Sequence, residues 1–90
     1  MDSQVLDERL RALAHPVRRR IVADCLDAPR TAGDVVARSD LSPASVSEHL
    51  KVLRKTGLLV LERDGRFRRY RADAEAVRAT ADTLARLAGG

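Results

Sequence analysis

The stretch LSPASVSEHLKVLRKTGL, residues 41–58, carries the clearest helix start and stop signals in the chain. Ser42 is a candidate N-cap because its hydroxyl can accept a hydrogen bond from a free backbone amide of the first turn. Pro43 suits the first helical position, and Gly57 can adopt the left-handed conformation that closes a helix. The stretch therefore predicts a helix that begins after Ser42 and ends just before Gly57.

A shorter helical signal precedes this helix. Thr31 can cap the free amides, and Asp34 stands at the position of a capping-box acid. Val35 and Val36 supply the buried side of this short helix. Two helices joined by a tight connection, here over about residues 31–56, are typical of a helix-turn-helix.

The hydrophobic period changes after these two helices, and the new pattern predicts a β-hairpin. Leu58–Arg63 and Arg66–Ala72 flank Asp64-Gly65, which suits a two-residue turn of type I′. A basic hairpin over about residues 58–72 that follows a helix-turn-helix indicates a wing.

Helical spacing of apolar residues predicts three further helices, over about residues 3–14, 16–27 and 73–88. Proline at position 16 suits the first turn of the second of these. The apolar side of that helix comprises Val17, Ile21, Val22, Cys25 and Leu26. The chain, residues 1–90, is then one mainly α domain with a β-hairpin wing, a winged helix-turn-helix.

The first and last helices carry apolar residues that the core of a 90-residue chain cannot fully cover. These residues recur three and four positions apart, as in the seam of a coiled coil. We therefore expect a homodimer that forms through both helices, with an interface made of Leu6, Leu10, Leu13, Val77, Ala81, Leu84 and Ala88.

Positive charge is concentrated in one third of the sequence. The chain has 17 basic and 13 acidic residues, for a net charge of +4. Residues 42–72 hold eight of the basic and three of the acidic residues, a net of +5, which leaves −1 for the rest. Such a local surplus suits a polyanion, either nucleic acid or an anionic membrane surface. Aromatic residues make up only 2% of the chain, which disfavours a base-stacking platform for single strands.

Several motifs together resemble the ArsR (ArsR/SmtB) family of winged-helix repressors. They are His15–Ile21, Leu41–Leu53, Gly57–Leu59, Asp64–Arg66 and Tyr70-Arg71, and they spread over nearly the whole chain. The most specific is the serine-x-histidine-leucine-lysine-x-leucine run of the fourth helix. The resemblance implies a homodimer that binds double-stranded operator DNA, with the fourth helix in the major groove and the wings on flanking DNA.

The side chains of the fourth helix fall into two groups, one that faces the core and one that points away from it. Val46, Leu50 and Leu53 form one narrow stripe at about 100° per residue, and this stripe must face the core. The residues that we expect at the DNA are Ala44, Ser45, Ser47, Glu48, His49, Lys51 and Arg54. Glu48 departs from the family pattern, in which this position is often basic or polar. Phosphates repel a carboxylate there unless it accepts a hydrogen bond from a cytosine amine.

His49 lies at the edge of the apolar stripe, and two roles stay open for it. One is a partly buried histidine that forms hydrogen bonds with neighbouring backbone. The other, implied by the resemblance, is a side chain close to DNA. Metal ligation is disfavoured because no other histidine or cysteine lies at helical ligand spacing.

Three arginines near the tip of the hairpin are the expected DNA contacts of the wing. Arg63 and Arg66 flank the tip and Arg68 follows two residues on, where each can reach a phosphate or a narrow minor groove. Arg69 and Arg71 lie nearer the body of the domain and also suit a solvated strand.

The sequence lacks the clustered ligands with which many members of that family sense metals. No cysteine occurs in residues 27–39, and the last helix has acids but no histidine. Cys25, the only cysteine, falls in the apolar arc of its helix and is interpreted as a small buried residue. We therefore expect no metal and no cofactor, with a Cys25-based redox or metal response as the alternative.

The leading interpretation is a sequence-specific repressor whose effector the chain does not reveal. An enzyme is not expected, because the sequence has no Gly-rich phosphate loop, nucleophile–base pair or metal motif. An alternative of a different class is a winged helix that serves protein–protein interaction, with its basic wing as the docking face. The single thiol and the lack of a signal-like start favour a cytoplasmic location.

Overall fold

The computed structural model describes residues 1–89 and contains five helices and a two-stranded antiparallel hairpin. This order confirms the predicted winged helix-turn-helix, in which α3 and α4 form the helix-turn-helix and β1 and β2 form the wing. The elements are α1 (Ser3–Leu13), α2 (Pro16–Asp27), α3 (Ala32–Ala37), α4 (Pro43–Lys55), β1 (Leu59–Asp64), β2 (Phe67–Ala72) and α5 (Ala74–Leu87).

Local capping explains where α4 begins and ends. The Ser42 hydroxyl accepts a hydrogen bond from the Ser45 amide at 3.1 Å, so the helix starts after the expected N-cap. Gly57 has a φ of +79°, and the Leu58 amide donates to the Leu53 carbonyl at 3.1 Å. That bond closes a Schellman motif, which ends the helix at the glycine.

The short helix α3 is held by a capping box at its start. The Thr31 hydroxyl accepts a hydrogen bond from the Asp34 amide at 3.0 Å, and the Asp34 carboxylate accepts one from the Thr31 amide at 2.9 Å. These bonds to Thr31 lower the pKa of the Asp34 carboxyl. Six residues are too few for a stable isolated helix, so the box and the packing of Val35 both matter.

The turn of the hairpin lies one residue later than expected, and the prediction of an Asp64-Gly65 type I′ turn is wrong. Asp64 pairs with Phe67, which makes Gly65 and Arg66 the two loop residues. Gly65 has a φ of +60°, while no non-glycine residue among 1–89 has a positive φ, the pattern of a type II′ turn.

Apolar pairing between the strands explains this register. Leu61 stands opposite Tyr70, and Leu59 stands opposite the buried Ala72. The expected turn would have placed Leu61 opposite Arg68 instead. Cross-strand contacts between apolar side chains therefore override the local preference of an Asp-Gly turn.

A further backbone pairing, which the sequence did not reveal, fastens the hairpin to the helices. Arg30 and Tyr70 exchange two backbone hydrogen bonds, of 2.9 and 2.7 Å. The Arg30 side chain also donates to the Asp24 carbonyl near the end of α2, at 3.1 Å, and pairs with Asp27 at 3.0 Å. The wing is thus attached both to the end of α2 and to the segment that leads into α3.

The hydrophobic core draws on all five helices and on the base of the hairpin. Val17 and Leu26, which we expected on the buried side of α2, are 36% and 45% exposed, because only the middle of the apolar arc faces the other helices. No helix within residues 1–89 is both long and apolar enough to cross a membrane. The buried core residues are Ala12, Ile21, Val22, Cys25, Val35, Val46, Leu50, Leu53, Leu58, Leu59, Ala72 and Ala76.

Candidate nucleic-acid interface

The outward face of α4 is polar and accessible. Val46, Leu50 and Leu53 are fully buried and fix the rotation of the helix about its own axis. This rotation leaves six of the seven residues that we expected at DNA exposed to solvent, and only His49 half-buried. The exposed six are Ala44, Ser45, Ser47, Glu48, Lys51 and Arg54.

One of the two roles left open for His49 was a hydrogen bond with neighbouring backbone. In the structure its hydrogen-bond partner is a side chain instead. Its Nδ1 accepts a hydrogen bond from Arg18 Nε on α2, at 3.1 Å and 31 residues away in sequence. Burial lowers the pKa of His49, and the nearby charges of Arg18 and His15 lower it further. The ring is therefore neutral at physiological pH.

On one face of the wing, arginines form ion pairs with carboxylates of the same hairpin. Arg71 Nε pairs with Glu62 at 2.7 Å, and Arg69 Nε pairs with Asp64 at 3.1 Å. The Arg69 guanidinium also lies 5.4 Å from the centre of the Phe67 ring. From the sequence we considered a solvated strand for these two arginines, and in the structure each of them has a carboxylate partner.

The other wing arginines behave differently. Arg63 stands directly opposite Arg68, and Arg66 occupies the second position of the turn. All three are exposed, and none of them forms an ion pair with any residue in 1–89. The surplus positive charge of the wing therefore resides at its tip and on the face that carries Arg63 and Arg68.

An arginine of α1, which no sequence pattern singled out, anchors the end of α4. Arg9 Nε donates to the Thr56 carbonyl at 2.9 Å, across 47 residues of sequence. Its cation also lies at the negative end of the helix dipole of α4. The same guanidinium is close to Gly57, where an added Cβ would lie 3.1 Å from Arg9 Nη2.

The apolar residues expected at a dimer interface are partly used within the chain. Leu13 and Val77 pack against the core, and Leu6 and Leu10 are half-buried. Towards its end α5 is more open: Ala81 and Ala88 are exposed, and Leu84 is 42% exposed. Leu87, which sequence reasoning missed, is 84% exposed and lies three residues after Leu84 on a neighbouring part of the helix surface.

Cys25 lies inside the core at 1% exposure. Burial raises the pKa of its thiol to about 11, so the thiolate is scarce at physiological pH. Among residues 1–89, no three histidine, cysteine, aspartate or glutamate side chains come together as a possible metal site.

The architecture defines a winged helix-turn-helix domain, and known proteins are similar to the chain in sequence. A sequence model of the family described as Helix-turn-helix domain matches residues 13–62. The HTH-type transcriptional regulator CmtR of Mycobacterium tuberculosis is 41% identical over 75 residues, which cover 82% of this chain and 64% of that protein. The chain thus spans less than two thirds of CmtR. The HTH-type transcriptional regulator YgaV of Escherichia coli is 36% identical over 76 residues, 83% of this chain and 77% of that protein.

Solved structures share the fold. An ArsR-like transcriptional regulator from Rhodococcus sp. RHA1 has a TM-score of 0.88 at 29% identity, covering 96% of this chain and 81% of that one. The NMR structure of the cadmium metal-sensor CmtR from M. tuberculosis has a TM-score of 0.70 at 38% identity, covering 86% and 80%. The chain belongs to the ArsR/SmtB family of winged helix-turn-helix regulators. This family consists of DNA-binding transcriptional regulators rather than enzymes.

Proposed function

We propose that this chain binds double-stranded operator DNA as a homodimer and represses transcription. In this proposal α4 enters the major groove, and the wing contacts the DNA on either side of it. Family membership and the exposed polar face of α4 both support the proposal. The basic region of residues 42–72 supplies the attraction to phosphates.

The observation that carries the proposal is the division of the wing arginines. Glu62 and Asp64 neutralise Arg71 and Arg69, whereas the three arginines at and near the tip make no ion pair with residues 1–89. A purely structural strand would gain from pairing its charges, and Arg63 directly opposite Arg68 is a repulsive arrangement. A polyanion placed against that face would relieve the repulsion.

On α4 the proposed roles follow side-chain chemistry. Ala44 is small enough to let the helix approach base edges, and Ser45 can read a base or a phosphate. Glu48 accepts from an exocyclic amine of a base. Ser47, Lys51 and Arg54 suit the phosphate backbone.

Selection of bound fragments from random double-stranded DNA tests this function. A two-fold dimer should enrich an inverted repeat with half-sites about one helical turn apart. The absence of any enriched motif, together with weak binding to all DNA, would overturn the proposal. Capture of a protein by the basic wing in that case would favour the alternative of a protein-docking winged helix.

We also propose that α1 and α5 form the dimer interface. The exposed leucines near the end of α5 support this, because a soluble monomer gains nothing from an open apolar stripe. The interface would comprise the expected residues of both helices, with Leu87 added to them.

A metal-responsive repressor is the second candidate, because CmtR is described as a cadmium sensor. The buried thiol of Cys25 argues against a ligand at that position, since a metal would require a deprotonated and accessible sulfur. We therefore expect cadmium and zinc titrations to leave the DNA affinity of this chain unchanged. A stoichiometric loss of affinity that Cys25→Ser abolishes would establish the metal-responsive candidate instead.

A further inference from the structure

The contact between α2 and α4 at His49 is more specific than ordinary packing. Arg18 Nε reaches Nδ1 of the imidazole at 3.1 Å, and both side chains are half-buried. An arginine N–H can only donate, so Nδ1 must be the unprotonated, accepting nitrogen. The neutral ring then carries its hydrogen on Nε2.

The other ring nitrogen is open to solvent. Nε2 has no hydrogen-bond partner within residues 1–89, and no buried side-chain nitrogen or oxygen there lacks a partner. On the helical wheel His49 lies one turn after Ser45, on the same flank of α4. The Nε2–H group is thus a free donor beside a residue that we place at the DNA.

We propose that Arg18 is a positioning residue for DNA binding, which holds His49 as a neutral donor whose Nε2–H bonds a DNA phosphate oxygen. This inference rests on the proposed function and adds to it a residue of α2 outside the recognition helix. A phosphate oxygen fits because it only accepts, and because the contact lies at the edge of the helix face rather than at its centre.

The charged groups around the pair are compatible with this role. His15 and Arg18 approach from the α2 side, and Glu48 is the acidic neighbour on α4 itself. Glu8 and Arg11 of α1, together with Lys55, line the groove next to Arg18. Cations outnumber acids in this setting, which favours a nearby phosphate and disfavours a second proton on His49.

Two Arg18 variants with side chains of equal length separate the effect of the hydrogen bond from the effect of the charge. Arg18→Gln places an amide N–H at the same number of bonds from the backbone as Arg18 Nε, and Arg18→Met has the same reach without a donor. Both variants lose the cation, so any difference between them reports on the donor. Thermal unfolding of both variants establishes that each is folded.

Nitrogen-15 chemical shifts of the histidine rings provide the first readout, and it requires no DNA. We expect wild type and Arg18→Gln to show His49 protonated at Nε2 alone, and Arg18→Met to show a detectable fraction protonated at Nδ1. Identical ring shifts in the two variants would overturn the positioning role, whether or not the protein binds DNA.

DNA affinity provides the second readout, on a motif obtained by selection. Arg18→Met should bind roughly tenfold more weakly than Arg18→Gln, the loss expected for one hydrogen bond to a charged group. His49→Gln, whose amide nitrogen lies near the Nε2 position, should retain more affinity than His49→Asn, whose amide lies near Nδ1. Equal affinities within each pair would overturn the donor role, and failure of the wild type to bind any DNA would overturn the proposed function as well.

Discussion

The five arginines of the wing are chemically identical, and their position in the hairpin decides what each can do. Arg69 and Arg71 face carboxylates on the same side of the hairpin, and their charge is used within the chain. Arg63, Arg66 and Arg68 have no such partner within residues 1–89. The sequence indicated which three would be at the tip, but the ion pairs depend on cross-strand neighbours that only the register defines.

Glu48 provides a test of base readout at the scale of one residue. Glu48→Gln removes a negative charge from the exposed face of α4, so binding to DNA of any sequence should strengthen. Preference for one cytosine in each half-site should weaken, because an amide oxygen accepts from the N4 amine less strongly than a carboxylate and the amide nitrogen can donate to other bases. Affinity measurements on a panel of single-base operator variants check both effects.

Glu75→Gln is the matched control, because Glu75 is an exposed acid on α5 away from the helix-turn-helix. It makes the same change in net charge and should leave selectivity unchanged. A uniform gain in affinity for Glu48→Gln, with selectivity intact, would contradict base readout by Glu48.

His49 should make stability depend on pH. Its native pKa lies below the usual value of 6.5, because of burial and then the charge of Arg18. As the pH falls below about 6.5, His49 becomes protonated in the unfolded chain while the native ring stays largely neutral. The free energy of unfolding therefore decreases. Above that pH the ring is neutral in both states, so its titration no longer changes the free energy of unfolding.

Urea unfolding between pH 5 and pH 8 measures this dependence, the window around the ordinary histidine pKa of about 6.5. His49→Gln cannot titrate and should show a flatter profile than the wild type on the acid side. Superimposable profiles for the two proteins would contradict the lowered pKa.

At the scale of the elements, the sequence was most informative where structure is local. The bounds of α4 followed from Ser42, Pro43 and Gly57, because caps act within one turn. The position of the hairpin turn could not be predicted from local residues, because apolar contacts between the strands decided the register. Contacts across 31 and 47 residues, of Arg18 with His49 and of Arg9 with Thr56, left no local trace in the sequence.

The end of α4 can be tested at Gly57. Gly57→Ala should lower the free energy of unfolding by about 1–2 kcal/mol, because alanine is strained at a positive φ. The φ there is +79°, and the new Cβ would also press on Arg9 Nη2, 3.1 Å away. Chemical denaturation measures the change.

Gly33→Ala, in helix α3 of the same helix-turn-helix, is the matched control. Its φ is not positive, and the added Cβ would meet only Thr31 Oγ1, at an ordinary 3.7 Å. Alanine has the better helix propensity, so this variant should match or exceed the wild type in stability. Equal stabilities for Gly57→Ala and the wild type would contradict the Schellman closure.

At the scale of the whole molecule, the small core and the open end of α5 explain why a second copy is expected. The pattern of apolar residues was enough to predict a seam on the first and last helices. The sequence overestimated how much of that seam is free, because the core of the same chain covers Leu13 and Val77. The accessible part lies farther along α5, at Leu84 and Leu87.

Two leucines of nearly equal exposure allow a direct test of the interface. Leu84→Lys on α5 should weaken dimerisation by roughly tenfold or more, since a buried charge would oppose association. Leu26→Lys on α2, at 45% against 42% exposure, should leave it unchanged. Sedimentation velocity over a concentration series measures both, and equal behaviour of the two variants would contradict an interface at α5.

The salt dependence of DNA affinity for two double variants tests whether the wing binds DNA through its unpaired arginines. Arg66→Ala with Arg68→Ala should weaken binding and reduce the slope of log affinity against log salt, by about 0.9 for each phosphate that the wing no longer neutralises. Arg69→Ala with Arg71→Ala removes the same formal charge, but from arginines that are already paired with carboxylates, and should leave the slope nearly unchanged. Equal reductions of slope in the two double variants would contradict the division of the wing charges on which the proposed function rests.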